Sequence, residues 1–199
     1  MYSQCGEEKI IDRLLSANIQ KGHLVELGAW DGYHLSNTRF LIDRGWSHLL
    51  IDGDNRGNEE VKQHFITRDN ILELLKKYDT PQFFDLLCID LDGNDLYILE
   101  KILTEYKPKL IVAEFNPIWA ASQSMVITYD ENHTWNMDDY YGFSFLAGKK
   151  MAEKYGYGCV EQNDSLNMYF ALGEQHKDVT YAVQNYHPKS NKIGWIEYL

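Results

Sequence analysis

Four short stretches of this 199-residue chain carry acidic side chains beside glycine or at the end of an apolar run: VELGAWDG at 25–32, IDGD at 51–54, DLLCIDLDGND at 85–95 and VAEFNP at 112–117. In the first, Glu26, Gly28 and Gly32 form E-x-G-x-x-x-G, which is not the dinucleotide spacing G-x-G-x-x-G. Gly28 lets a backbone approach a ligand closely, and a carboxylate such as Glu26 attracts an ammonium and repels a pyrophosphate. That combination suits an adenosyl and amino-acid cofactor, with Ala29 and Ser36 as further contacts. The competing reading is a tight turn that needs glycine for its backbone angles.

Asp52 follows Glu26 by about 25 residues at the end of a second apolar run, where an acid can accept both hydroxyls of a ribose. Asp54 competes for that role, and either could be a solvated turn acid. Asp69 and Asn70 are placed to reach an adenine, or equally to cap the next helix. Asp90, Asp92 and Asp95 crowd together, and acids so close need a cation or a proton. Asp90, Glu114 and Asn116 are oxygen ligands suited to Mg²⁺ or a similar hard cation, which would orient an acceptor hydroxyl and lower its pKa. Against that, 92–95 could form a helix-capping turn. His133 is a candidate base, or a solvated loop histidine, and Trp135, Tyr140 and Tyr141, near Asp138 and Asp139, could cover a polar substrate.

The elements that would position these groups follow from periodicity. Helical spacing runs over 7–19, 37–44, 71–78, about 95–106 and 141–155. Short apolar strands are expected at 23–27, 48–51, 85–89 and 110–115, with a weak strand at 65–67 and a closing pair at 158–162 and 166–172 split by Asn163-Asp164. This β-α-β alternation predicts a parallel sheet with helices on both faces, which sets ligands beyond the carboxyl ends of its strands. Residues 118–139 follow neither period and read as a long functional loop. The tail from Tyr186 carries Trp195 and Tyr198 and is expected to dock.

Composition narrows the function. With 44% hydrophobic and 14% aromatic residues the chain can bury a core, and its length suits one domain over 1–199. A net charge of -11, from 30 acidic against 19 basic residues, repels a polyanion, so nucleic acid is not expected as a partner. Cys5, Cys88 and Cys159 are odd in number and widely spaced, which implies no disulfide framework. No basic start with an apolar stretch and no run of about 20 apolar residues is present, so a cytoplasmic protein without membrane insertion is expected. The oligomeric state stays open, a homo-oligomer included.

The stretches SQCGEEKIIDRLL, VELGAWDGYHLSNT, IDGD, DLLCIDLDGND, VAEFNP, DYYGFS and LNMYFA, in that order over 3–172, resemble the FkbM-type methyltransferases, especially a bacterial subgroup found with surface-polysaccharide genes. The resemblance implies an α/β, Rossmann-like class I methyltransferase fold with a seven-stranded, mostly parallel sheet. It also implies S-adenosylmethionine as cofactor and O-methylation of a sugar, a nucleotide-linked sugar or another small polar acceptor. Matched by motif, Glu26, Gly28 and Gly32 would contact the methionine part, Asp52 the ribose, and Asp90 would lie near the sulfonium, with Gln4 an N-terminal pocket candidate. Two departures stand out: the interval from Asp54 to Asn70 is short, and 97–99 is less aromatic than the family pattern. Two rivals are a metal-dependent nucleotide-sugar glycosyltransferase, through Asp90-x-Asp92, and a non-catalytic cofactor-binding protein of the same fold.

Overall fold

The computed structural model describes residues 2–15, 21–163, 166–177, 179 and 194–199. The expected end of the first helix at Ile19, the turn residue Asp164 and Tyr186 lie outside them. In chain order the elements are α1 (Glu7–Leu14), β1 (His23–Leu27), α2 (Arg39–Ile42), β2 (Ser47–Asp52), β3 (Val61–Gln63), α3 (Ile71–Lys77) and β4 (Phe83–Ile89). There follow α4 (Asp95–Leu103), β5 (Lys107–Glu114), β6 (Met125–Ile127), α5 (Phe145–Lys154), β7 (Tyr157–Gln162), β8 (Asn167–Leu172) and β9 (Trp195–Glu197).

Seven strands form one sheet in the order β3-β2-β1-β4-β5-β8-β7. The pairs from β3 through β5 are all parallel, and β8 runs antiparallel to both of its neighbours. This is the seven-stranded, mostly parallel Rossmann-like sheet of the class I methyltransferase fold.

Period-two alternation splits the core between the two faces. Val25, Leu27, Leu49, Ile51, Leu87 and Ile89 pack with α3, α4 and α5, whose buried residues include Leu75, Leu99 and Met151. Leu24, Leu50, Leu86, Cys88 and Val112 pack with Ile11 of α1 and Leu41 of α2. Helices therefore cover both faces, as a parallel sheet requires. The same alternation carries forward to the strand ends, where Glu26 follows Leu24, Asp52 follows Leu50, Asp90 follows Cys88 and Glu114 follows Val112, each two residues on. Four acids thus share one face and one end of the sheet.

Three expectations shift. The third strand is Val61–Gln63, four residues before the 65–67 run, because it pairs Val61 with Leu50 and Gln63 with Asp52. The 118–139 segment is not all loop, since β6 pairs antiparallel with β9, seating Trp195 5.4 Å from Trp119 edge to face. The C-terminal residues dock as expected, with the Ser124 hydroxyl donating to the Tyr198 carbonyl at 2.6 Å. The helix expected from Tyr141 starts at Phe145, because Ser144 caps it by accepting from the Ala147 N–H. Among the described residues no helix is long and apolar enough to cross a membrane.

Candidate functional site

One cavity of about 680 Å³ opens at the carboxyl ends of β1, β2 and β4, within the ~300–1,000 Å³ common for cofactor pockets. Of the sequence candidates, Glu26, Gly28, Ala29, Ser36, Asp52, Asp90, His133 and Trp135 line it.

Gly28 is where β1 meets β4. Its φ of 84° is left-handed, and a Cβ there would stand 1.7 Å from the Asp90 carbonyl oxygen. No side chain fits between those two backbones. Asp90 returns the contact by donating its N–H to the Leu27 carbonyl at 3.0 Å.

Glu26 is 5% exposed, and its carboxylate is held by one short segment. Oε2 accepts from the Ser36 hydroxyl at 2.8 Å and the Thr38 hydroxyl at 2.7 Å, and Oε1 accepts from the Asn37 N–H at 3.0 Å. Burial pushes its pKa up while these three donors pull against that rise. Asp52 ties neighbouring turns together, Oδ2 accepting from the Trp30 N–H and Oδ1 from the Asp54 N–H, both at 2.8 Å. Asp54 is exposed, pairs with Arg56 at 3.2 Å and is outside the lining, so of the two only Asp52 faces the cavity.

The acidic trio is not the expected one. Carboxylate oxygens of Asp90, Asp92 and Glu114 lie within 4.8 Å of one another. Asn116 is fully buried, and its amide is consumed by the chain: it donates to the carbonyls of Asp139 and Tyr141 at 2.8 and 3.0 Å and accepts from Ile118 N–H at 3.1 Å. Both amide N–H groups are thus spent and its oxygen keeps one lone pair, while Asp92 joins Asp90 and Glu114 in the carboxylate cluster. Asp90 is open to the cavity yet ringed by protein, so lost hydration raises its pKa, helped by the charges of Asp92 and Asp95, while a hydrogen bond with Glu114 opposes the rise. Burial, then the Asp90 charge, raises Glu114 well above the carboxylate range. Burial and Asp95 push Asp92 up to about 6. Asp95 itself organises the turn, accepting from Leu91 N–H at 2.7 Å and Gly93 N–H at 2.9 Å.

Several other candidates fall outside the cavity. Asp69 is exposed beside Arg68, and Asn70 is spent inside its own turn, accepting from Thr67 N–H and donating to the Phe65 carbonyl. Because β3 ends earlier than expected, His64, Phe65 and Ile66 take the wall instead. Gln4 is exposed and outside the lining; the backbone beside it folds onto acids of α1, Ser3 N–H donating to Glu8 and Cys5 N–H to Glu7. Gly32 packs beneath β3, where a Cβ would meet Val61 and Leu50 near 3.1 Å. Tyr140 donates its hydroxyl to the Gly194 carbonyl at 2.7 Å, tying the segment to β9, and Tyr141 is buried behind Trp135, with ring centroids 6.2 Å apart.

His133 lies over Gly93, where a Cβ would meet its ring at 2.6 Å, and its Nε2 has no hydrogen-bond partner among the described residues. Trp135 presents its ring, since its Nε1 donates to the Asp138 carbonyl at 2.8 Å. Sequence reasoning missed Trp30, His34, Leu35, Arg56 and Met137 in the lining. Trp30, His34 and Leu35 sat unused inside the VELGAWDGYHLSNT stretch, and nothing in the sequence marked Arg56 or Met137.

Neither a protein-family model nor a curated protein matches the sequence. Three solved structures of similar shape are remote in sequence. The 1,6-didemethyltoxoflavin-N1-methyltransferase of Burkholderia thailandensis, solved with 1,6-didemethyltoxoflavin and S-adenosylhomocysteine, is 12% identical over 85% of this chain and 79% of its own, with a TM-score of 0.47. A SAM-dependent methyltransferase from Aquifex aeolicus is 12% identical over 84% of this chain and 89% of its own, with a TM-score of 0.46. An O-methyltransferase family protein from Burkholderia thailandensis is 8% identical over 86% of this chain and 57% of its own, with a TM-score of 0.43.

Proposed function

We propose that the chain is an S-adenosylmethionine-dependent methyltransferase that places a methyl group on an oxygen of a small acceptor. The observation that carries this reading is the meeting of Glu26, Gly28, Asp52 and Asp90 in one cavity at the carboxyl ends of parallel strands. The cofactor supplies an electrophilic methyl on a positively charged sulfur, and the acidic wall suits that charge.

The residues fit the group. A carboxylate offers about four lone-pair sites, and three of those on Glu26 are filled by 36–38, leaving one for the methionine ammonium. Each oxygen of Asp52 accepts one backbone N–H and keeps a site for a ribose hydroxyl. Gly28 offers the cavity bare backbone, packed from behind against the Asp90 carbonyl. Asp90, its basicity raised by its surroundings, would take the acceptor's hydroxyl proton, with His133 as the competing base. A proton shared between Asp90 and Glu114, whose oxygens lie within 4.8 Å and whose pKa values are both raised, would relieve the crowding of the two acids, and we favour it over a divalent cation. No covalent intermediate on the protein is needed; its work is alignment at about 3 Å and exclusion of water.

The resemblance points to a carbohydrate acceptor of a polysaccharide pathway in the cytoplasm, and Trp135 offers a ring on which such an acceptor could lie. A nucleotide-sugar glycosyltransferase would have to bring a diphosphate against Glu26, Asp52, Asp90 and Asp92, which repel it.

Calorimetry with S-adenosylhomocysteine and with uridine diphosphate separates these. We expect binding of the first and none of the second; the reverse result overturns the methyltransferase reading. Cofactor binding without methyl transfer to any acceptor offered would favour the non-catalytic binder.

A further inference from the structure

Seven non-glycine residues among those described have left-handed backbones, and five of them, Trp30, Leu35, Arg56, Asp92 and Met137, line this cavity. Left-handed backbone is strained for a residue with a side chain, and strain of this kind persists where a site needs it. Three of the five, Trp30, Leu35 and Met137, also leave large apolar side chains exposed at 39%, 47% and 82%. Trp135 joins them at 44%. The chain thus carries strained backbone and wetted apolar surface at one mouth, and a ligand that covers it relieves the second of these.

Several polar groups at this mouth are spent inside the protein, while the His133 Nε2 has no hydrogen-bond partner among the described residues. The Trp135 Nε1 is held by the Asp138 carbonyl. The Asn94 amide donates to the Asp130 carbonyl at 2.7 Å and accepts from the Asp130 N–H at 3.3 Å. Arg56 pairs with Asp54 and lies over the Trp30 ring at 5.4 Å. Large carbon surfaces of Trp30, Leu35, Trp135 and Met137 face the ligand here. Behind them stand Glu26, Asp52, Asp90 and Asp92, against Arg56 as the one Lys or Arg in the lining among the described residues.

We propose that the acceptor is a flat, uncharged, aromatic hydroxyl compound, its ring held among Trp30, Leu35, Trp135 and Met137 and its hydroxyl directed towards Asp90. A sugar carries a hydroxyl on nearly every carbon and would leave most of them without partners among these four side chains. A phosphorylated or nucleotide-linked acceptor would add negative charge to an acidic cavity. This inference rests on the methyltransferase reading and narrows its acceptor away from the carbohydrate that the resemblance implies. In the reaction, the acceptor oxygen would form a bond to the methyl carbon as the carbon–sulfur bond breaks. The sulfur keeps that electron pair and becomes neutral, and the hydroxyl proton passes to the base.

The test uses the whole protein saturated with S-adenosylhomocysteine and three probes: 2-naphthol, 2-naphthyl phosphate and methyl glucoside. We expect 2-naphthol to bind at least tenfold more tightly than either other probe and to lose at least tenfold in Trp135→Ala and in Met137→Ala. The Met137 change leaves the buried core alone, since that side chain is 82% exposed. Tighter binding of the phosphate or the glucoside, unchanged 2-naphthol affinity in both variants, or no 2-naphthol binding at all overturns the inference. Any of these with S-adenosylhomocysteine still bound leaves the methyltransferase reading standing, whereas failure of S-adenosylhomocysteine to bind removes that reading itself.

Discussion

Gly28 and Asp90 touch backbone to backbone: a Cβ on Gly28 would lie 1.7 Å from the Asp90 carbonyl oxygen, and the glycine's φ of 84° is left-handed. This contact brings the ends of β1 and β4 together and so sets Glu26 and Asp90 on one cavity. Gly28→Ala should destabilise the protein by about 3 kcal/mol or more, from the backbone penalty and the clash together. Thermal melting reads the loss. An unchanged Tm would mean that the two strand ends separate at little cost.

Glu26 divides into two roles that two substitutions separate. Thr38→Val removes one hydroxyl from the buried carboxylate and should cost about 1.5–3 kcal/mol of stability. Glu26→Gln keeps the shape but loses the charge offered to an ammonium, and should weaken S-adenosylhomocysteine binding tenfold or more, about 1.4 kcal/mol. A folded Glu26→Gln with unaltered affinity by calorimetry would assign the carboxylate to the 36–38 segment alone.

Asp52→Asn should weaken the same ligand by roughly 1–3 kcal/mol, and Asp54→Asn should leave it within about 0.5 kcal/mol, because only Asp52 lines the cavity. A larger effect at Asp54 would reverse the assignment of the ribose acceptor.

Asp92 links the site to stability. Its folded pKa is raised from 3.8 to about 6, so the folded state holds this proton more tightly than the unfolded chain. The stability it contributes is complete below about pH 4 and is lost as pH rises through about 6. Asp92→Asn should therefore match the native chain near pH 4 and exceed it at pH 8 by on the order of 1 kcal/mol, about 2–4 °C in Tm. Asparagine tolerates the left-handed φ of 52° at this position. Equal stability at both pH values would show that Asp92 is not destabilised by charge.

Exhaustive chelation should leave turnover intact if a shared proton relieves the crowding of Asp90 and Glu114, and should abolish it, with recovery on adding Mg²⁺, if Asp90, Asp92 and Glu114 hold a cation. In the same assay Asp90→Asn should lower kcat by about 10²-fold or more, and His133→Ala by less. The opposite ranking would make His133 the base.

Much of the architecture was written in local pattern. Alternation along β1, β2, β4 and β5 puts Glu26, Asp52, Asp90 and Glu114 two residues beyond buried apolar partners on one face, and the turn at Gly28 announces itself by residue type. Those features depend on near neighbours in the chain, and periodicity reports near neighbours faithfully. Other assignments depended on contacts that spacing does not encode. The Asn116 amide N–H groups go to carbonyls 23 and 25 residues on, a pairing its spacing from Asp90 and Glu114 does not encode. Asp69 and Asn70 lost the cavity to His64, Phe65 and Ile66 because β3 is set by pairing with β2, not by its own three residues. Tyr140 went to Gly194, 54 residues away. Sequence fixes which residues can meet a ligand through strand period and turn chemistry, whereas competition for each polar group is settled only when distant backbone arrives beside it. A buried donor or acceptor goes to whichever partner the tertiary fold supplies.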